Sequence, residues 1–375
     1  MNKSVIEMHS TWLAINSIVG CTNGCKYCFL QTTNKNLSKP CIKVSPESAI
    51  KELLESKYYN ASIPICLLPN TDAFLNKTNI EYLKKLILEI KKNNIPNTLT
   101  IVTKCYIDES FISFIKDIGM DKQIVFYLSY SGLGRSIEPN VNPENIKKNF
   151  VTLSKNDIKV VHYFRPLIPN NSKKEKIDEI LDYVSDYTDY SVITGLKVKE
   201  EYFDKIDFWD ELKKYKDEVI KAEGVWVEEA FDYFYKNYDR QHFIFQTNAC
   251  ALSSILGNSC LEYYDSYECQ NYNLCSSKQR EKCKSCNSRI DNDIRTVLVK
   301  ELIKLGKFND QINIKIGDEI VIENAHLDIA DLAYLTYVCH KKVTSTKKNE
   351  TDNYFNSSLS SSKPLILGRK MKGGC

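Results

Sequence analysis

No apolar stretch in the 375 residues approaches the ~20 needed to cross a bilayer as a helix. Nor is either sign of charge in excess. Lys and Arg number 51 against 48 Asp and Glu, a formal net charge of +3. The basic residues are dispersed, which excludes bulk attraction to nucleic acid or a membrane surface. The five histidines show no metal-ligand spacing, and His162 reads as a hydrogen-bonded core residue on a strand. The beginning lacks the pattern of a secretory leader. Glu7, His9, Ser10 and Asn16 interrupt it, leaving only Trp12 to Ile15 as a clean apolar run. There is no internal repeat. What remains is an ordinary globular composition, 43% hydrophobic and 26% charged, in a chain long enough for one large domain and a smaller appendage.

Cysteine is what the chain does have, 14 of them. Without a leader these imply a reducing cytoplasm, where clustered thiols mean metal sites rather than disulfides. The most informative three lie in Cys21-Thr22-Asn23-Gly24-Cys25-Lys26-Tyr27-Cys28. Four thiolates saturate a cubane iron–sulfur cluster. Three leave one iron open, as an unfilled position separates catalytic from structural zinc sites. Two blander readings compete. Ile18-Val19-Gly20-Cys21 looks like a lipoprotein cleavage site, and Cys25 with Cys28 like half a zinc knuckle. The interrupted N-terminal segment argues against the first.

Beyond this loop two periods alternate. Apolar residues three or four apart predict helices through Ile80–Ile90, Ile146–Leu153 and Ile177–Val184. Ser45-Pro46-Glu47 and Asn142-Pro143-Glu144 each set a capping residue before a first-turn proline. Short apolar runs predict buried strands at Trp12–Val19, Ser62–Leu68, Thr98–Thr103, Ile124–Ser129, Lys159–Phe164 and Ser191–Leu196. Six β/α units with strands buried on both faces imply a parallel sheet, an α/β partial (β/α)6 barrel of the TIM type. Its active site belongs at the carboxyl ends of the strands. The cysteine loop follows the first strand.

The C-x3-C-x2-C string resembles the signature of the radical S-adenosylmethionine (SAM) superfamily. Pro69-Asn70-Thr71-Asp72, Ile101-Val102-Thr103-Lys104, Ser129, Ile137-Glu138-Pro139-Asn140 and Arg165-Pro166-Leu167-Ile168-Pro169 fall in order at strand ends. Together they resemble the group containing spore photoproduct lyase, over roughly residues 11–196. The resemblance implies a [4Fe-4S] cluster on Cys21, Cys25 and Cys28, and SAM at the open iron. Reduction by a donor such as flavodoxin or ferredoxin would cleave SAM to methionine and a 5′-deoxyadenosyl radical, which abstracts hydrogen from a substrate. It also implies cofactor contacts. Asp72 or the Thr71 hydroxyl would accept from the amine and Lys104 would meet the carboxylate. Ser129 would bond the ribose, and Tyr27 would cover the adenine. The Gly-Gly-Glu element common after strand two in the superfamily is missing.

The core is expected over 1–199, helical cover over 200–245, a Cys-rich metal-binding region over 246–290, a small C-terminal domain over 291–343 and a disordered tail over 344–375. Of the six cysteines in 246–290, Cys250, Cys275, Cys283 and Cys286 are the candidate ligands of an auxiliary iron–sulfur cluster or of zinc, which spacing does not discriminate. This mainly irregular or helical extension does not match the spore lyase's tail, which argues against lesion repair. The expected function is a cytoplasmic radical SAM enzyme, a lyase or oxidoreductase, acting on a peptide, nucleic acid or small molecule. The alternatives are a zinc-ribbon nucleic-acid or peptide binder on a degenerate barrel, and a DNA-lesion repair lyase.

Overall fold

The computed structural model describes residues 4–28, 30, 39–197, 224–225, 227–238, 242–245, 247–257, 293–317, 319–339 and 341–346. In chain order these form β1 (Ile6–Met8), β2 (Leu13–Ile15), β3 (Ile18–Val19), β4 (Cys41–Ile42), α1 (Pro46–Glu55), β5 (Ile65–Leu67), α2 (Lys77–Lys92), β6 (Leu99–Thr103), α3 (Glu109–Asp117) and β7 (Ile124–Leu128). Then come α4 (Pro143–Lys155), β8 (Lys159–Leu167), α5 (Lys174–Ser185), β9 (Tyr190–Lys197), β10 (Gly224–Val225), α6 (Glu228–Asn237), β11 (Phe243–Phe245) and α7 (Asn248–Leu256). The last described elements are α8 (Ile294–Lys304), β12 (Asn313–Ile316), β13 (Ile320–Glu323), α9 (Ile329–Cys339) and β14 (Val343–Ser345).

β2, β5, β6, β7, β8 and β9 pair in parallel in that order, and β11 adds to β9 through Ile244 opposite Ser191. β1 and β10 lie antiparallel at the two ends, so the sheet is an open barrel. Every residue of β7 is buried, as a strand covered on both faces requires. Helix starts follow the sequence. Ser45 and Asn142 accept from the backbone N–H groups of Ser48 and Glu144, with Pro46 and Pro143 in the first turn.

Two expectations are corrected here. The stretch Trp12–Val19 is not one strand. Asn16 breaks it, its backbone N–H bonding Val5 and its side chain Glu7, and Ile18–Val19 pairs instead with β4. The stretch 200–245 contributes strands as well as helix α6, because Phe243-Ile244-Phe245 is apolar enough to extend the sheet. The C-terminal piece shares one continuous core with the barrel. Asp331 on α9, fully buried, pairs with Lys57 at 3.1 Å and Lys307 at 3.3 Å and accepts from the Tyr58 hydroxyl at 2.9 Å.

Side chains alternate across β8. His162 meets Phe150 on α4 and Phe164 meets Phe234 on α6, so these two face the helices. His162 is thus a core histidine. Its Nε2–H donates to the Tyr130 carbonyl at 2.9 Å, Nδ1 takes the Ser191 hydroxyl at 2.8 Å, and His242 Nε2–H donates to Ser191 Oγ at 2.6 Å. Burial pulls His162 down to about 3 and His242 down to about 4, so both are neutral at pH 7. The unfolded chain, with imidazoles near 6.5, therefore takes up protons that the fold refuses. Stability is expected to be undiminished above pH 6.5 and to fall as the pH drops from there toward 4. The slope should approach about 1.4 kcal/mol per pH unit per histidine. Thermal melts of metal-free protein between pH 7.5 and 5 check this, with His162→Gln flattening the dependence.

Candidate cluster and cofactor site

The cysteine loop leaves β3 through Gly20, whose φ of 109° lies in the region glycine tolerates. Gly20 N–H donates to the Asn70 carbonyl at 3.0 Å, and the Thr71 hydroxyl donates to the Gly20 carbonyl. Across the loop, Lys26 N–H bonds the Ile137 carbonyl at 3.0 Å, and Asn140 Nδ2 bonds the Thr22 carbonyl at 2.8 Å. Gly24, at φ 68°, approaches the Glu-Pro turn so closely that a Cβ would stand 3.2 Å from Pro139 Cγ. The loop is therefore clamped between the ends of β5 and the turn that follows β7.

Within the clamp lie Cys25, which is buried, and Cys21 and Cys28, which are half-buried, none of them in a disulfide. Burial lifts the thiols, Cys21 and Cys25 to about 12 and Cys28 to about 11, and their mutual repulsion adds to it. Three soft donors close enough to feel one another fit an iron–sulfur cluster, whose binding would displace their protons. Among the described residues no three His, Cys, Asp or Glu side chains converge on a single ion. Thiolates that each bind a different iron of a cubane need not do so.

The five expected cofactor residues fall in one network around this loop. Asp72 is buried and takes four protein donors: Thr103 Oγ1 at 2.7 Å, Lys104 N–H at 2.8 Å, Phe74 N–H at 3.0 Å and Asn23 Nδ2 at 3.4 Å. The Thr71 hydroxyl, besides donating to Gly20, accepts from Asn79 Nδ2 at 3.2 Å. Among the described residues Asp72 is thus occupied by groups on β6, the cysteine loop and its own turn, and Asp72 and Thr71 both tie the end of β5 to the cysteine loop. Ser129 is buried at the end of β7, and its carbonyl accepts from Lys104 Nζ at 3.2 Å.

Glu138 is the residue sequence reasoning passed over, although its Glu-Pro turn was visible. It is buried, and three donors converge on its Oε1: Lys104 Nζ at 2.9 Å, Ser131 Oγ at 2.9 Å and the Tyr27 hydroxyl. The Lys104 ammonium also stands 5.7 Å from the Tyr27 ring centre. Burial pulls the Lys104 pKa down, but the Glu138 carboxylate together with Cys25 and Asp72 more than offsets this, so the ammonium stays charged. A neutralised buried ion pair thus sits beside the thiols, between the cysteine loop and the strand ends. Cys105 also borders the loop, its Sγ 3.6 Å from the Asn23 amide.

Of the second cysteine group, Cys250 lies in the first turn of α7, its N–H bonded to Thr247 Oγ1 at 3.1 Å. Cys275, Cys283 and Cys286 lie outside the described residues. No described helix is long and apolar enough to cross a membrane.

Comparison with known proteins finds the family described as the Radical SAM superfamily over residues 15–184, from β2 to the end of α5. No curated protein matches the chain. Among solved structures, the chain is similar to spore photoproduct lyase complexed with dinucleoside spore photoproduct. The two share 14% identity at a TM-score of 0.49, over 65% of this chain and 80% of that one. It is also similar to native anSMEcpe with bound AdoMet, at 15% identity and a TM-score of 0.45, over 65% of this chain and 66% of that one. The matched segment carries the cysteine loop and all of the network around it. Over residues 15–184, a little under half of the chain, the sequence thus matches the Radical SAM superfamily.

Proposed function

We propose that Cys21, Cys25 and Cys28 hold a [4Fe-4S] cluster and that the chain cleaves SAM reductively to generate a radical. The observation that carries this reading is the clamped trio of thiols at the carboxyl end of a parallel sheet, beside a buried Lys104–Glu138 pair. When bound, the cluster supplies an electron to SAM, giving methionine and a 5′-deoxyadenosyl radical that abstracts hydrogen from the substrate. The chain's residues hold and shield that chemistry. Asp72 and Thr71 act as positioning residues, fixing the loop rather than meeting the amine. Lys104 offers positive charge to the SAM carboxylate while Glu138 keeps it oriented. Tyr27, tethered by its hydroxyl, presents its ring to the adenine, and Ser129 lies within the same rim for the ribose. A small reductant such as flavodoxin or ferredoxin supplies the electron. Cys250, with Cys275, Cys283 and Cys286, would hold an auxiliary iron–sulfur cluster or zinc.

Anaerobic reconstitution of the full chain tests this. The expected result is a brown protein that releases 5′-deoxyadenosine from SAM under dithionite. A fully iron-loaded protein that leaves SAM intact overturns the reading.

A further inference from the structure

A second charged group occupies the concave face of the barrel and takes no part in the network above. Tyr127 pairs with Val102 and Val161, so these three share a face; alternation along β8 puts Tyr163 on it as well, and Arg165, at the register shift that follows Phe164, lays its guanidinium against the Tyr163 ring. This is the face opposite the one on which His162 and Phe164 meet α4 and α6. Tyr163 meets Tyr127 edge-on at 5.8 Å, and Tyr127 meets Trp12 edge-on at 5.9 Å. An aromatic floor thus crosses the sheet from β2 to β8. Arg165 lies over its end, the guanidinium 5.6 Å from the Tyr163 ring centre with Nη1 donating to the Tyr163 hydroxyl at 2.6 Å. The first residue of α7 closes the same corner. The Asn248 carbonyl accepts from the Tyr127 hydroxyl at 2.9 Å, and Asn248 Nδ2 stands 3.4 Å from the Tyr163 hydroxyl.

Two features of this corner are unspent. Arg165 is half-buried and, among the described residues, faces no carboxylate, whereas Lys104 on the same rim is paired with Glu138 and assigned to the cofactor. Asn248 Oδ1 is buried and, among the described residues, receives no donor. A guanidinium offers five N–H donors in a rigid plane, and among the described residues one of them is used, toward the Tyr163 hydroxyl. Its fork matches a planar carboxylate in bidentate fashion, and partial burial strengthens that match. The neighbouring orphan acceptor suits an N–H carried next to the carboxylate. A chain of phosphates fits less well, because a nucleic-acid backbone demands clustered basic charge and the described residues of this corner bring one cation.

We propose that Arg165, Tyr163 and Asn248 form the substrate-recognition corner of the barrel, and that the substrate presents a carboxylate to Arg165 over the aromatic floor. This deepens the reading above and rests on it. It gives that site a substrate class, an organic acid or the carboxylate of an amino-acid unit, and makes Arg165 a specificity-determining residue.

Benzoate, an aromatic carboxylate, serves as the probe, titrated calorimetrically into the iron-loaded full chain saturated with SAM. Binding in the millimolar range or tighter is expected. Arg165→Gln should weaken it at least ~10-fold, the equivalent of 1.4 kcal/mol, with SAM affinity unchanged. Asn248→Asp, which puts a carboxylate beside the guanidinium, should weaken it as well and guards against a folding defect peculiar to Arg165→Gln. Benzyl alcohol should not compete. The proposal is overturned if benzoate fails to bind, or if both variants bind it as wild type does. It also fails if SAM affinity drops together with benzoate affinity, since Arg165 would then serve the cofactor, or if inorganic phosphate outcompetes benzoate. Release of 5′-deoxyadenosine is read separately, so this inference can fail while the radical chemistry stands.

Discussion

Replacing Cys21, Cys25 and Cys28 together with alanine is expected to remove four irons per chain and to take 5′-deoxyadenosine release below detection. Metal bound by the second cysteine group should remain. The expectation follows from the clamp. The loop is held by backbone bonds to Asn70, Ile137 and Asn140, and by the Asn140 side chain, none of which needs a thiol. The fold should therefore survive, and far-UV circular dichroism should be unchanged. Single replacements are expected to be nearly as severe for catalysis, since two thiolates leave a second iron exposed and the cluster labile. Iron and zinc analysis of wild type against the triple variant separates the competing identities. A protein that keeps all its metal and loses no activity would mean that the trio is not the reactive centre. A zinc-ribbon binder on a degenerate barrel would keep its zinc and its partner affinity.

Much of the architecture was legible because it follows from periodicity. The buried runs at β6, β7 and β8 could only be strands covered on both faces, and Ser45-Pro46 and Asn142-Pro143 announced their helices through cap chemistry. The break at Asn16 was not legible, because it depends on Glu7 and Val5 folding back from an antiparallel strand. Nor was β11, since three apolar residues amid aromatics read equally as helix. Around the site, the cysteine trio is a local spacing and could be read directly. The roles of the residues near it could not, because hydrogen-bond partners are set by strand register. Asp72 looked available in sequence and is saturated by groups on β6 and the cysteine loop. Asp331 pairs with Lys57 across 274 positions of chain, a separation no pattern reveals. His162 was readable as a core residue, but its link through Ser191 to His242 was not.

Glu138→Ala is expected to be the most destabilising single replacement at the site, costing about 3–5 kcal/mol. Its carboxylate is 5% exposed and its Lys104 partner 13%. Removing it strands an ammonium, the Tyr27 phenol and the Ser131 hydroxyl in a space from which water is excluded. The loss is mostly the desolvation of the abandoned Lys104 charge rather than the worth of the pair itself. That distinction is testable with a double-mutant cycle. If the stranded ammonium dominates, adding Lys104→Met to Glu138→Ala should recover a large part of the stability lost by Glu138→Ala alone, because neither charge is then buried. Urea unfolding of metal-free protein reads it, and an additive cycle would show that the two side chains do not act as a pair. SAM affinity of the iron-loaded double variant should nonetheless stay low, since the positive charge offered to the SAM carboxylate is gone. Recovered stability without recovered SAM binding would separate the structural duty of Glu138 from the recognition duty of Lys104.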